Sequence, residues 1–285
     1  MNCQAVRRGD SRGKPRSQTQ LAITGDGQQW LLLGASPDLR MQIESTPNLH
    51  PRAGSRQSPI SGVLLANADL DHVLGLLLLR ELQPLHVYAT QSVRRILTED
   101  NSMFRMLHRV ANQVSWVDFR PGEEFSLAEK QDERAAIRCL PIALNPHYPA
   151  YVSAERQSQL VPDEASMGFI IRSSSGKRLA FFPAVPRIDQ QLLGQLDSCD
   201  LILFDGTFWS DDELIRVQGS GPTAREMGHL PVHETLERLA ELRRPRKMFL
   251  HINNTNPMLD ETSREYRQVR EAGWEVAEDG WLFDL

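Results

Sequence analysis

Three apolar segments of the sequence each end in side chains that can bind a metal ion or carry a proton. They are 63–65, which precedes Asn67, Asp69, Asp71 and His72; 201–204, which precedes Asp205; and 248–250, which precedes His251. Open α/β sheets bind ligands beyond the carboxyl ends of their strands, so residues at three such ends can converge on one point. Two imidazoles with up to three carboxylates and no nearby thiolate suit ferrous iron, manganese or zinc. The pattern therefore predicts a metal centre.

Each junction has a simpler interpretation when it is taken alone. Asp71 and His72 at a helix start are more often a cap with a hydrogen-bonded histidine than a pair of metal ligands. Asp205 followed by Gly206 could be a turn, and His251 could be a buried core histidine. The occurrence of the same arrangement at three predicted strand ends is what favours metal binding.

Apolar periodicity and turn residues predict the elements that must hold these junctions in place. Predicted strands are 20–24, 30–33 (joined to the first as a hairpin), 63–65, 86–89, 115–119, 136–142, 168–172, 178–182, 201–204, 247–250, 274–277 and 281–283. Predicted helices are 36–43, 71–82, 90–97, 102–111, 189–196, 234–243 and 263–272, and 7–16 is predicted as a loop. Helices alternating with two groups of strands predict a layered α/β fold, with two sheets packed together and helices outside, in a single domain over 1–285.

Composition narrows the classes of function. The 285 residues carry 32 Lys and Arg against 37 Asp and Glu, a net charge of -5 that offers no electrostatic footprint for nucleic acid or anionic lipid. No apolar run approaches the roughly 20 residues of a membrane helix, and residues 1–16 lack the apolar centre of a secretory signal. Three cysteines, Cys3, Cys139 and Cys199, fit neither a disulfide framework nor a complete zinc site. We therefore expect a cytoplasmic protein that takes a small molecule or peptide and binds no nucleic acid or membrane.

The first junction resembles the metal motif of the metallo-β-lactamase superfamily, His-x-His-x-Asp-His-x-x-Gly-Leu. Asp71, His72 and 75–76 match the motif, whereas Asn67 and Asp69 replace its first two histidines. The resemblance implies an αββα sandwich. It also implies that the first of the superfamily's two metal sites is empty here, because an amide and a hard carboxylate stand in place of two imidazoles. We expect one metal per chain.

Further strings make the sequence similar to one family, the B protein of pyrroloquinoline quinone (PQQ) biosynthesis. They include Ala35-Ser-Pro-Asp38, Asp205-Gly-Thr207, Met227-Gly-His229 and His251-Ile-Asn-Asn-Thr-Asn-Pro257. The similarity extends from about Cys3 to Leu285, and the family's first strand and cysteine-rich amino end are not matched. A single cysteine cannot complete a four-coordinate site, so structural zinc is not expected.

The resemblance implies that Asp71, His72, Asp205 and His251 bind the metal, with Asp69 and Asn67 as further ligands or outer contacts. Two histidines with one or two carboxylates match the ligand set of non-haem ferrous oxygenases, so we expect Fe(II), with zinc or manganese as alternatives. The family implies iron- and dioxygen-dependent hydroxylation of the tyrosine ring in a Glu-Tyr dipeptide or peptide precursor of PQQ. A carrier or transport role towards the periplasm, and a residual zinc hydrolase, are the alternatives.

Four more residues are expected around the metal. His229 could donate or accept a proton or orient the substrate, and Asp38 could accept a hydrogen bond from a metal-bound histidine; these two are the predicted catalytic residues. Arg225 is predicted to pair with a substrate carboxylate, and Asn254 to contact substrate or to fix the loop after His251. The simpler alternatives are a capping histidine, a charge in a helix first turn and a surface arginine. Homo-oligomer formation is left open.

Overall fold

The computed structural model describes residues 2–10, 13–79, 83–127 and 137–284. These residues form two compact units, a carboxy-terminal unit made of Met1–Arg16 with Lys177–Leu285 and an amino-terminal unit made of Ser17–Gly176. The single domain over 1–285 stays a prediction.

Short strands and helices alternate along the chain. The strands are β1 Leu21–Ile23, β2 Trp30–Leu33, β3 Ile60–Leu64, β4 Leu85–Ala89, β5 Val114–Asp118, β6 Phe125–Ser126, β7 Arg138–Asn145, β8 Ser166–Arg172, β9 Arg178–Phe182, β10 Leu201–Asp205, β11 Arg246–Leu250 and β12 Trp274–Val276. The α-helices are α1 Asn2–Arg8, α2 Leu39–Ser45, α3 Leu70–Val73, α4 Gln91–Arg95, α5 Ala154–Gln157, α6 Gln190–Asp197, α7 Glu213–Gln218, α8 Val232–Arg238 and α9 Arg264–Glu271. Tighter 3₁₀ turns cover Pro47–Leu49, Leu74–Leu78, Ser102–His108, Pro162–Glu164 and Pro257–Leu259, and a wider π turn covers Ile96–Asp100.

The amino-terminal unit contains a five-stranded sheet in the order β1-β2-β3-β4-β5. The first pair is antiparallel and the remaining pairs are parallel. A separate antiparallel group joins β6, β7 and β8. Buried aliphatic side chains such as Leu32, Val63 and Val87 form the core against the central strands. Parallel strands need crossover connections, which the short helices α3 and α4 supply.

The carboxy-terminal unit is built on the parallel strands β9, β10, β11 and β12. All five residues of β10 are buried, which explains the unbroken apolar run of its first four, since a parallel strand covered on both faces has no polar side. Phe249 stacks on Trp274 with ring centroids 4.2 Å apart, and Phe204 meets the same indole edge-on. Because β10 and β11 are parallel and in register, Asp205 and His251 emerge at the same sheet edge.

Most predicted strands are confirmed within one to three residues, and the hairpin of the first two strands is the antiparallel pair β1 and β2. The predicted strand at 136–142 begins at Arg138, and residue 136 lies outside the described residues. Helix caps are also confirmed where a side chain closes the first turn. Asp189 accepts from the Leu192 N–H, and Thr90 accepts from the Val93 N–H.

The first two predicted helices are wrong in extent. The helix over 71–82 is instead the single turn α3 followed by a 3₁₀ turn, and 80–82 lie outside the described residues. At Gly75 an added Cβ would lie 2.3 Å from the Ser36 carbonyl oxygen, so this close backbone approach overrides helical periodicity. The helix predicted from Ser36 begins at Leu39. The Ser36 hydroxyl accepts from the Asp38 N–H and donates to Gln42 Oε1.

Four other expectations are corrected. Residues 281–283 form no strand; the Arg246 guanidinium instead lies 4.6 Å from the centre of the Phe283 ring. The predicted loop at 7–16 is helical at Arg7 and Arg8, the end of α1. The helix over 102–111 is a 3₁₀ turn that ends at His108. Helix α8 ends at Arg238, five residues before the predicted 243. Within the described residues, no helix is long and apolar enough to cross a membrane.

Candidate metal centre

The carboxy-terminal unit brings three predicted site residues together at one sheet edge. Ligand atoms of Asp205, His229 and His251 all lie within 4.8 Å of one another. Asp205 ends β10 and His251 follows β11, while His229 lies in the turn that precedes α8. Gly206 lets the two strand ends meet, because a Cβ there would lie 2.8 Å from Met258 and 2.9 Å from Phe249.

The Asp205 carboxylate is fully buried and accepts four hydrogen bonds. Its Oδ1 accepts from the Thr207 N–H at 3.0 Å and from the Thr207 hydroxyl at 2.6 Å. Its Oδ2 accepts from the Val185 N–H at 2.9 Å and lies 2.7 Å from His229 Nδ1. Burial opposes ionisation, but His229, His251 and Thr207 together hold the pKa of this carboxyl below its usual range. An ionised, four-bonded carboxylate anchors the junction.

The Thr207 hydroxyl joins the two imidazoles to that carboxylate. Its oxygen lies 2.8 Å from His251 Nδ1 and 3.1 Å from His229 Nδ1. The two rings are nearly parallel, with centroids 5.5 Å apart and planes 23° apart. The Thr207 hydroxyl oxygen is therefore within hydrogen-bond distance of Nδ1 in both histidines.

His251 has a backbone conformation that residues other than glycine rarely adopt. Its φ is +55°, in the left-handed region. The Thr207 hydroxyl lies 2.9 Å from the His251 carbonyl oxygen, and the Asn253 N–H donates to the Thr207 carbonyl. Asn256, also buried, donates from Nδ2 to the Gly206 carbonyl. Hydrogen bonds thus connect the loop after β11 to the loop after β10 at several points. A strained backbone held in place by its surroundings, as at His251, is a feature of functional sites.

The donor set suits a divalent metal of borderline softness. Imidazole nitrogen and carboxylate oxygen are the available donors, and the buried thiols Cys139 and Cys199 are not members of the cluster. Histidines that bind metals usually donate their other ring N–H to a carboxylate or similar acceptor. His251 has such a partner in Thr207. The residues present therefore fit a metal.

In the amino-terminal unit, the junction after β3 combines a local turn with hydrogen bonds from distant segments. Asn67 is buried, and its Oδ1 accepts from the Asp69 N–H at 3.0 Å, which makes a tight polar turn. The Tyr151 hydroxyl donates to the Ala68 carbonyl. His72 is buried beside the half-exposed Asp71, with 3.8 Å between Nε2 and Oδ2. The assignment of Asp71, His72, Asp69 and Asn67 to a metal stays a prediction.

The other predicted residues have defined partners. Arg225 Nη2 lies 2.5 Å from Glu234 Oε1, so a substrate carboxylate would compete with this carboxylate for the guanidinium. Asn254 Oδ1 accepts from the Cys3 N–H at 2.8 Å, which ties the loop after His251 to α1. Asp38 Oδ2 accepts from the Gln18 N–H at 2.8 Å. The catalytic and substrate-binding roles of these residues stay predictions.

Two residues of this region received no role from the sequence. Thr207 is one, and the signal was its place two residues after Asp205 at a strand end. Glu213 is the other: it is buried, and it accepts hydrogen bonds from the Trp209 N–H and the Thr255 hydroxyl. It thereby joins the segment before α7 to the loop after His251. Nothing in local periodicity distinguishes it from an ordinary acidic residue of a helix first turn.

Comparisons with known proteins agree with this architecture. Residues 29–252 match the family model of the beta-lactamase superfamily domain. Coenzyme PQQ synthesis protein B of Methylorubrum extorquens is 38% identical over 99% of this chain and 92% of that protein. The crystal structure of Zn²⁺-bound PqqB from Methylobacterium extorquens has a TM-score of 0.89 at 38% identity, with 99% of this chain and 92% of that chain covered. A diphosphatase of the PhnP family shares the fold, with a TM-score of 0.61 at 18% identity, over 94% of this chain and 85% of that chain. The predicted metallo-β-lactamase fold and α/β class are confirmed.

Proposed function

Because this chain belongs to the family of coenzyme PQQ synthesis protein B, within the beta-lactamase superfamily, its role lies in PQQ biosynthesis, and we propose that it hydroxylates the tyrosine ring of a Glu-Tyr precursor. The observation that carries the proposal is the cluster of the buried Asp205 and His229 with the half-buried His251. Its nitrogen and oxygen donors are those of non-haem ferrous oxygenases. We propose Fe(II) as the metal, one per chain, with Asp71, His72, Asp205 and His251 as the ligands implied by the sequence.

Ferrous iron is the proposed metal. The superfamily supports a metal-dependent enzyme, and a relative was crystallised with Zn²⁺ bound. Zinc and ferrous iron share a preference for imidazole, so that observation supports a divalent metal without selecting between the two. When bound, ferrous iron supplies redox chemistry with dioxygen that amino-acid side chains lack.

The reaction sets requirements that the chain's own residues can meet. A ring C–H bond is replaced by C–OH, one oxygen atom of dioxygen leaves as water, and an external two-electron reductant such as ascorbate or a thiol supplies the electrons. His229 Nδ1 faces the Asp205 carboxylate, which stabilises a positive charge on the ring. We assign to His229 Nε2 the removal of the phenolic proton, which makes the ring more electron-rich.

The test is anaerobic loading of the full chain with ferrous iron, followed by metal counting and dioxygen-dependent turnover of a Glu-Tyr peptide with ascorbate. We expect one iron per chain and a product heavier by one oxygen atom. His251→Ala should lose both the metal and turnover. The control is His50→Ala, an exposed histidine of the amino-terminal unit, which should keep both.

Three other outcomes would replace the proposal. Tight binding of PQQ or its precursor without iron, and without dioxygen uptake, supports the carrier role. Two zinc ions per chain with hydrolytic turnover support the hydrolase. One zinc that supports turnover while iron does not would reject the assignment of iron but keep a single metal site.

A further inference from the structure

The contacts of Thr207 determine where the protons of the cluster lie. A threonine hydroxyl carries one proton and can donate it only once. Two of the atoms close to Thr207 Oγ1 are acceptors only: Asp205 Oδ1 at 2.6 Å and the His251 carbonyl oxygen at 2.9 Å. Either of them takes the hydroxyl proton. No proton is then left on Oγ1 for a histidine nitrogen.

The 2.8 Å contact between Oγ1 and His251 Nδ1 must therefore be donated by the histidine. One of the two acceptor contacts of Oγ1 has no proton in any arrangement, and a bare Nδ1 would add a second contact between lone pairs at hydrogen-bond distance. His251 Nδ1 accordingly carries the proton, and the lone pair of the neutral ring lies on Nε2.

The position of the proton on His229 follows from a direct contact with the Asp205 carboxylate. Its Nδ1 lies 2.7 Å from Asp205 Oδ2, which also accepts from the Val185 N–H. Carboxylate oxygens accept hydrogen bonds, so the proton between the two groups lies on His229 Nδ1. The 3.1 Å contact of this nitrogen with Thr207 Oγ1 is a second, weaker branch of the same donation.

We infer that Thr207 is a positioning residue, which relays the acceptor character of Asp205 to His251 and so fixes the Nδ1–H tautomer of that histidine. The Asp205 carboxylate thereby fixes the tautomers of two imidazoles, that of His229 directly and that of His251 through the Thr207 hydroxyl. The inference deepens the proposed function, because it names Nε2 as the atom that His251 offers to the metal. The His251 tautomer is fixed by contacts within the chain, without metal or substrate.

The test compares Thr207→Val, which removes the hydroxyl at nearly constant shape, with Thr207→Ser, which restores it. Metal-free protein with ¹⁵N-labelled histidine is studied near pH 8, where neutral imidazoles predominate. Long-range ¹H–¹⁵N spectra distinguish the two tautomers, and His251→Gln assigns the signal. In the unmutated protein we expect Nδ1–H for both His229 and His251. In Thr207→Val, His251 should become a tautomer mixture while His229 keeps Nδ1–H.

Affinity for Zn²⁺ alone gives a second readout. Thr207→Val should weaken it by about 10- to 100-fold, as is typical when the partner of a metal-bound histidine is lost. Thr207→Ser should recover both the tautomer and most of the affinity. The matched control is Thr235→Val, a buried threonine of the same unit whose hydroxyl lies 3.3 Å from the Pro231 carbonyl. It should change neither readout.

An Nε2–H tautomer of His251 in the unmutated protein would overturn the inference, even if Thr207→Val failed to fold. So would a folded Thr207→Val protein with an unchanged His251 tautomer. Failure of the iron-loaded enzyme to consume dioxygen would instead reject the proposed function, and the tautomer result would stand.

Discussion

The two junctions that carry the predicted metal ligands are held in different ways. After β10, side chains bind side chains from three segments: Asp205 contacts Thr207 and His229, and Thr207 contacts His251. After β3, the Asn67 side chain makes a local turn with the Asp69 N–H. Distant segments reach this junction at backbone carbonyls, as the Tyr151 hydroxyl does at Ala68. The first arrangement exists only when the unit is folded, whereas a tight polar turn forms between residues two apart. Loss of one side chain should therefore lower the free energy of unfolding more at the junction after β10.

The largest expected effect separates Asp205→Ala from Asn67→Ala. The first change leaves two backbone N–H groups, a hydroxyl and an imidazole without their acceptor in a buried place, and should lower the free energy of unfolding by about 3–5 kcal/mol. The second removes one turn bond and should cost about 1 kcal/mol. Urea unfolding of the metal-free variants measures both. Equal costs would contradict the comparison.

The next prediction concerns a variant in which histidines replace Asn67 and Asp69 at the junction after β3. Asn67→His combined with Asp69→His should raise affinity for a second metal by roughly 10- to 100-fold. Dioxygen-dependent turnover should fall, because a second metal would occupy space needed by dioxygen or the phenol. Metal titration and oxygen uptake check this. A double variant that binds one metal and oxidises substrate normally would show that the identity of these two residues is immaterial.

A smaller effect tests the strained backbone at His251. Both His251→Ala and His251→Gly remove the imidazole, so both should lose the metal. Only glycine adopts a φ of +55° without cost, and the glycine variant should therefore be more stable than the alanine variant by about 1 kcal/mol. Thermal unfolding of the two metal-free proteins gives the difference. A more stable alanine variant would show that the loop relaxes once the imidazole is gone.

The smallest effect is a pH dependence from Glu213. Burial raises the pKa of this carboxyl, and hydrogen bonds from Thr255 and Trp209 oppose part of the rise. A carboxyl whose pKa is higher when folded stabilises the protein below its unfolded pKa and loses that contribution as pH rises through the folded pKa. Relative to Glu213→Gln, the natural protein should therefore lose a small part of its stability as pH rises from the ordinary carboxyl pKa of 4.5 to neutral pH. A constant difference across this range would contradict the raised pKa.

The sequence predicts the parts of this molecule that depend on local pattern. Strand β10 is a continuous apolar run, and Asp189 and Thr90 carry cap side chains, so these elements follow from neighbouring residues. The placement of Asp205 and His251 at strand ends follows in the same way. The helix predicted over 71–82 fails because Gly75 packs on a distant backbone, which periodicity does not report.

The connections within the site depend on tertiary structure. The bond from Thr207 to His251 joins residues 44 apart, and the two lie close only because β10 and β11 pair in register. The left-handed backbone of His251 has no sequence signal either, since it occurs at a residue that rarely adopts it. The similarity to a family named the ligand candidates, but it gave Thr207 and Glu213 no role.

The bonds between α1 and the loop after His251 have a consequence for synthesis of the protein. Asn2 Nδ2 donates to the carbonyl oxygens of Asn254 and Asn256, which closes a loop of more than 250 residues. At typical translation rates, Asn2 leaves the ribosome on the order of ten to fifty seconds before Asn254 is made. Helix α1 therefore remains without this partner while the residues up to Asn254 are made. We expect its docking to be among the last events in maturation of the nascent chain.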